Sequence, residues 1–214
     1  MKIFISQNIS KVKSYKEKVN YLSSDWSAFL EKNRPDLKII PIPNIPKLVD
    51  EYYQYFKPDG LILSNGNDIG EFAERDNTEY KLIKKFVKET KPILGVCRGF
   101  QILNYYFSEF DSKCLKRLVE DNHINKNHFV KICDEKFLFL KQNKIKVNSY
   151  HKYGVLKKKL AKNFKVFAIY NEDLVEGFFD SQRKIYGVQW HIERNSLSEQ
   201  YDIGLLDMVF KKKL

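Results

Sequence analysis

Residues 92–107 constrain this chain most. Pro92-Ile93-Leu94-Gly95-Val96 is an apolar strand pattern that runs, with no linker, through Cys97-Arg98-Gly99 into a helical pattern over residues 98–107. A Cys centred between two glycines at a strand-to-helix junction is the nucleophile-elbow arrangement with Cys in place of Ser. The sharp turn brings neighbouring backbone close, so the residues two before and two after the nucleophile must be small. The thiol itself projects from the carboxyl edge of the sheet, at a helix N-terminus whose N–H groups favour a thiolate. Taken alone, the pentapeptide fits a buried Cys with incidental glycines equally well.

The flanking pattern supplies the sheet that such an elbow needs. Residues 2–6 read as a strand and residues 15–33 as a helix, with Val19, Leu22, Trp26, Phe29 and Leu30 on one face. Residues 37–42 form a strand closed by Pro41 and Pro43, residues 45–56 a short helix with Pro46 in its first turn, and residues 60–63 an apolar strand ending in the loop Ser64-Asn65-Gly66-Asn67-Asp68. Residues 78–90 are expected to be helical, with Thr78 as N-cap and Leu82, Ile83, Phe86 and Val87 buried. Strand and helix alternate here at a spacing that calls for right-handed crossovers and a parallel sheet covered on both faces. The second half is richer in strands, at 128–132, 145–148, 165–170, 174–179 and 185–190, and residues 198–212 close the chain as a helix. With no linker, repeat or compositional break, 214 residues are expected to make one domain over 1–214.

Composition excludes some functions and leaves one question open. A chain with 43% hydrophobic and 14% aromatic residues is not a disordered one. No segment approaches the roughly 20 apolar residues of a membrane span, and Cys97, Cys114 and Cys133 form neither a CxxC pair nor a zinc-ligand spacing. A protein of the reducing cytoplasm, with no membrane, metal or cofactor, is the expectation. The 38 Lys and Arg against 27 Asp and Glu give a net charge of +11. That excess fits a polyanionic partner, a phosphorylated or acidic small molecule, or plain compositional drift towards Lys, Asn, Ile and Tyr. Its densest runs are Lys157 to Lys159 and the tail Lys211 to Lys213.

A thiolate nucleophile needs a base that later serves as an acid, and His is the usual choice near neutral pH. The four histidines are His123, His128, His151 and His191. His191 follows the strand Tyr186-Gly187-Val188-Gln189-Trp190, so in a parallel sheet it leaves the same edge as Cys97. Glu193 lies two residues on. In extended backbone it would project to the same side as His191 and fix the imidazole tautomer.

Two segments together carry a family resemblance. Cys97-Arg98-Gly99-Phe100-Gln101 after Gly95-Val96, and Gly187-Val188-Gln189-Trp190-His191-Ile192-Glu193, resemble the nucleophile and His/Glu motifs of the class I glutamine amidotransferase-like superfamily. Arg directly after the Cys is similar to the γ-glutamyl hydrolase, peptidase C26-like branch more than to the synthase-coupled glutaminases. Val147-Asn148-Ser149-Tyr150-His151 resembles that branch's segment for holding the glutamyl group, and residues 60–69 sit where it has its oxyanion loop.

The resemblance implies an α/β, flavodoxin-like, mostly parallel sheet with helices on both faces, and a role for each matched position. Cys97 would attack a γ-glutamyl carbonyl, His191 would move the proton and Glu193 would orient it. Backbone N–H groups of Arg98 and of Gly66 or Asn67 would hold the oxyanion. Gln101, Asn148, Ser149, Tyr150 and His151 would bind substrate. If the amine side carries phosphate or a nucleotide, Arg98 and nearby lysines would receive it. Two departures stand out: Asn65 precedes Gly66 where the family has paired glycines, and Ile192 replaces the Pro of His-Pro-Glu. Asn tolerates the left-handed region, and Ile favours extended backbone, so neither change removes a reacting atom.

Other residues get plainer readings. Cys114 and Cys133 read as buried small apolar residues, Trp26 as core, and His123 and His128 as lacking metal-like partners. Asp68 and Glu71 read as solvated loop carboxylates or as partners for a substrate amine. Three functions follow: a stand-alone γ-glutamyl amide hydrolase acting on a small molecule, a glutaminase subunit passing ammonia to a partner synthase, and a basic nucleic-acid-binding protein on an inactive scaffold. The intact Cys, His and Glu set argues against the last, and oligomeric state, a homo-oligomer included, is left open.

Overall fold

The computed structural model describes residues 1–14, 16–118 and 124–211. His123, Lys212, Lys213 and the proposed helix start at Tyr15 lie outside them. From the N-terminus, β1 (Lys2–Ser6) leads to a hairpin of β2 (Asn8–Val12) and β3 (Glu17–Tyr21), then α1 (Ser24–Asn33), β4 (Lys38–Ile42) and α2 (Val49–Phe56). There follow β5 (Gly60–Leu63), α3 (Ala73–Lys88), β6 (Ile93–Val96) and α4 (Arg98–Phe107). The second part holds β7 (Lys116–Arg117), β8 (Ile124–Ile132), β9 (Lys144–Tyr150), β10 (Tyr153–Leu156), β11 (Lys165–Tyr170), β12 (Leu174–Asp180), β13 (Ile185–Val188) and α5 (Glu199–Val209).

One sheet runs in the order β4-β1-β5-β6-β13-β12-β11-β8-β9, and its first five strands are parallel. Alternate residues of these strands feed two cores. Ile3, Ile5, Ile62 and Val96 pack with Trp26, Phe29 and Leu30 of α1 and with Leu205 and Leu206 of α5. Phe4, Leu61, Leu63 and Ile93 face the other way, onto Tyr53 of α2, Leu82 and Phe86 of α3 and Leu103 of α4. The expected α/β sheet with helices on both faces is therefore present. Beyond β13 the order continues antiparallel through β12, β11, β8 and β9. Two links there, residues 171–173 between β11 and β12 and residues 181–184 between β12 and β13, are far too short for the crossover of a dozen or more residues that a parallel neighbour needs.

Three local expectations change. Residues 15–33 are not one helix: β3 occupies the first part, and Ser23 caps α1 by accepting from the Asp25 N–H at 3.3 Å. Val19 sits at helical spacing by coincidence, because it pairs with Ser10 across the hairpin. The helix expected from Thr78 begins at Ala73 instead, and the Thr78 hydroxyl donates to the Glu74 carbonyl at 2.8 Å. Cys133 is exposed, whereas Cys114 is buried and burial pushes its thiol up to about 11.

Candidate active site

Cys97 joins β6 to α4 with φ +54° and ψ −102°, a left-handed position that a non-glycine residue holds only when its surroundings enforce it. The enforcing contacts are tight. A Cβ on Gly99 would lie 2.0 Å from the Leu63 carbonyl oxygen, and one on Gly95 would lie 2.4 Å from the Gly99 carbonyl oxygen. The Cys97 N–H donates to Val188 O at 2.9 Å, which ties the elbow to the end of β13. Val96 is in register with Val188, so Cys97 and His191 leave the same sheet edge.

His191 is buried, and its Nδ1 lies 2.8 Å from Glu193 Oε1. Residues 192 and 193 form a turn, not the extended segment expected, and the turn is what brings the carboxylate back to the ring. Ile192 is fully buried, so core packing supplies the rigidity that Pro would have given. Asn148 holds the backbone on both sides: its Oδ1 accepts from the His191 N–H at 2.9 Å, and its Nδ2 donates to His191 O and Arg194 O, each at 2.8 Å. With Nδ1 engaged by Glu193, Nε2 is left for Cys97. Burial opposes charge on the ring, but the Cys97 thiolate and then the Glu193 carboxylate outweigh it and push His191 up to about 10.

The loop after β5 is braced from three sides. Gly66 has φ +112°, and a Cβ there would lie 1.5 Å from Asn8 Oδ1. Asn65 stays outside the left-handed region, so the missing second glycine is not required, and its Oδ1 accepts from Trp26 Nε1 at 3.3 Å. Asn67 exchanges two hydrogen bonds with the Ile9 backbone, both at 2.9 Å. Arg75, fully buried, donates to Asn65 O at 2.8 Å, Ser64 O at 3.2 Å, Asn8 Oδ1 at 2.6 Å and Asn67 Oδ1 at 3.0 Å. Its Nε reaches Glu79 Oε1 at 3.2 Å, and the other Glu79 oxygen accepts from Arg98. Glu79 thus bridges the loop to the residue that follows Cys97. Opposite it, the Arg98 N–H lies in the first turn of α4, where no intrahelical acceptor exists.

This network changes the reading of Arg98. Its side chain is 2% exposed, and its guanidinium is bound by Asp76 and Glu79, so its charge is already met inside the protein. Gln101, one turn on, donates to Tyr153 O at 2.9 Å and lines a cavity of about 280 Å³ with Asp68, Asp76, Tyr80, Tyr105 and Tyr153. A larger cavity, about 800 Å³, opens at the opposite sheet edge beside Met1, Pro92 and Lys184, away from Cys97. Ser149 is buried, while Tyr150 is half exposed and sets its ring edge-on to His191 at 5.5 Å. His151 is buried, with Nδ1 3.0 Å from Tyr153 O and Nε2 3.7 Å from Glu176. His128 Nε2 lies 3.7 Å from the other oxygen of Glu176. Among the described residues, no group of three or more His, Cys, Asp or Glu is placed to hold a metal ion, and no helix is long and apolar enough to cross a membrane.

Sequence reasoning missed Arg75, Glu79 and the bracing role of Trp26. A signal was present: Arg75 and Glu79 extend the buried stripe of Leu82, Ile83 and Phe86 by one helical step each, and charges at core positions mark a buried network.

Comparison with known proteins gives consistent matches. The family model for peptidase C26 matches residues 4–193. The chain is 31% identical over 204 residues, 92% of each chain, to the gamma-glutamyl-CDP-amidate hydrolase of Campylobacter jejuni. Among solved structures it resembles a glutamine amidotransferase of Thermotoga maritima, with TM-score 0.60, 20% identity and coverage of 100% of this chain and 85% of that one. The glutaminase domain of Trypanosoma brucei CTPS superposes with TM-score 0.73 at 14% identity, covering 100% and 95%.

Proposed function

The chain belongs to the peptidase C26 family, and from that premise we propose that it hydrolyses a γ-glutamyl amide through Cys97, His191 and Glu193. The observation that carries this reading is the His191 Nδ1 to Glu193 contact at 2.8 Å, which leaves Nε2 for a Cys held at a strained elbow. The Cys97 thiolate attacks the γ-carbonyl carbon, and the negative charge passes to the carbonyl oxygen. Backbone N–H groups of Arg98 and of the Gly66 or Asn67 region hold that oxygen. The C–N bond breaks as His191 gives its proton to the departing amine. Water then attacks the thioester and returns a proton to His191, and the C–S bond breaks to release glutamate.

For the amine side the reading is γ-glutamyl-CDP-amidate, cleaved to glutamate and cytidine diphosphoramidate for capsule phosphoramidate synthesis. The Campylobacter jejuni relative, similar over 92% of both chains, supports it. The test is a panel of neutral, cationic and phosphorylated γ-glutamyl amides with glutamate release as readout. Fastest release from γ-glutamyl-CDP-amidate is expected. Hydrolysis of glutamine alone, and only when a partner synthase is added, would contradict it in favour of ammonia delivery.

A further inference from the structure

The hairpin β2–β3 stands directly beside the oxyanion loop, joined to it by the two hydrogen bonds between Ile9 and Asn67. Its register sets Lys11 opposite Lys18. Like charges facing each other across an antiparallel pair destabilise it, and Glu74, whose carboxyl is held below its usual range by Lys18 and then Lys11, offsets part of that repulsion. Both ammonium groups converge on one ring, lying 5.3 Å and 6.0 Å from the centroid of Phe72, the residue just before α3. Lys18 reaches Glu74 at 2.5 Å, whereas Lys11 makes no ion pair among the described residues. Lys13 and Lys16, both exposed, carry the positive charge on to the hairpin tip, against Glu17 alone.

On the other side of the loop the charge differs. The cavity beside Gln101 is lined by Asp68 and by no Lys or Arg, and its second carboxylate, Asp76, is paired with Arg98. The flanks of the oxyanion loop therefore differ in charge, basic at the hairpin and without a basic side chain at the cavity. Arg98, which follows Cys97, is consumed by its two carboxylates, and Arg194 lies 3.5 Å from Glu193.

We propose that Lys11 and Lys18 form an anion site for phosphate groups on the amine side of the substrate, so that the hairpin selects phosphorylated γ-glutamyl amides. This rests on the reading that Cys97 cleaves a γ-glutamyl amide. The step is binding alone: two ammonium groups lose mutual repulsion and gain phosphate oxygens, an attraction that added salt screens.

The experiment compares kcat/KM for γ-glutamyl-CDP-amidate with that for a neutral γ-glutamyl anilide, in the wild type and in the double variant Lys11→Ala, Lys18→Ala. The ratio should fall about tenfold or more, through KM for the phosphorylated substrate, and Lys11→Glu should lower it further. Raising ionic strength should lower the wild-type ratio in the same sense. An unchanged ratio, or an equal loss on both substrates, overturns the anion site while leaving the hydrolase intact. Should the wild type release glutamate from neither compound, the hydrolase reading fails. Calorimetry with CDP then decides the site by itself: weaker binding in the double variant supports it and equal binding overturns it.

Discussion

His191 keeps its proton well into the alkaline range because the Cys97 thiolate and the Glu193 carboxylate together outweigh the cost of burying a charged ring. Its folded value, about 10, lies above the ordinary 6.5, so the imidazolium that the proposed reaction would use to protonate a departing amine persists at neutral pH and is lost as pH rises through that value. Glu193→Gln removes the carboxylate charge that helps raise it while keeping an acceptor for the ring. The alkaline limb of kcat against pH should move towards neutrality, and kcat should fall roughly 10²–10⁴-fold. An unmoved limb with a lower kcat would mean that Glu193 does not set the ring's protonation. At this scale the sequence was legible for the residues on which the proposal rests, since Cys97 and His191 leave one sheet edge and Glu193 meets His191. It was less legible for their supports. Asn148 was expected to touch substrate, yet its amide is used up on the backbone of His191 and Arg194. An Asn in a strand pattern carries no mark of whether its partner is a ligand or a main chain.

At the scale of elements, α3 does more than cover the sheet. Its first two turns place Arg75, Asp76 and Glu79 in the interior, where they join the oxyanion loop to the start of α4. Burial works against a charged Glu79, but Arg98 and then Arg75 hold its carboxyl below the usual range. A carboxyl depressed in the folded state stabilises fully above its unfolded value, about 4, and that contribution fades as pH falls further. Glu79→Gln leaves two buried guanidinium groups short of a counter-charge and should cost about 3–5 kcal/mol in denaturant unfolding at neutral pH, with the deficit shrinking in acid. A loss under about 1 kcal/mol at pH 7 would show that the network is not under electrostatic load. This bridge escaped sequence reading because the apolar stripe begins only at Leu82, so the helix start was placed too late. The hairpin was missed for a related reason. Val19 fits both a helical face continuing to Trp26 and a strand alternation, and only pairing with β2, a contact between separate segments, decides between them.

Across the whole molecule, the alternation of apolar runs and helical patterns sufficed to read the parallel centre, because β5 and β6 are buried on both faces and each crossover there carries a helix. The antiparallel extension was only half legible: its strands could be read, but their direction depends on link lengths that are clear once element ends are known. In the proposed anion site the charge of +11 acquires a local meaning at the hairpin, whereas the cavity next to Gln101 is lined by no Lys or Arg and Arg98 is neutralised inside. All of these parts converge on one sheet edge, where the account makes its central claim, that Cys97 is the nucleophile for γ-glutamyl transfer to water. The most direct measurement is glutamate release from the preferred γ-glutamyl amide by Cys97→Ala, read beside a thermal unfolding midpoint that certifies the fold. The account predicts a folded protein whose release falls to the uncatalysed rate. Release retained at a substantial fraction of the wild-type rate would contradict it.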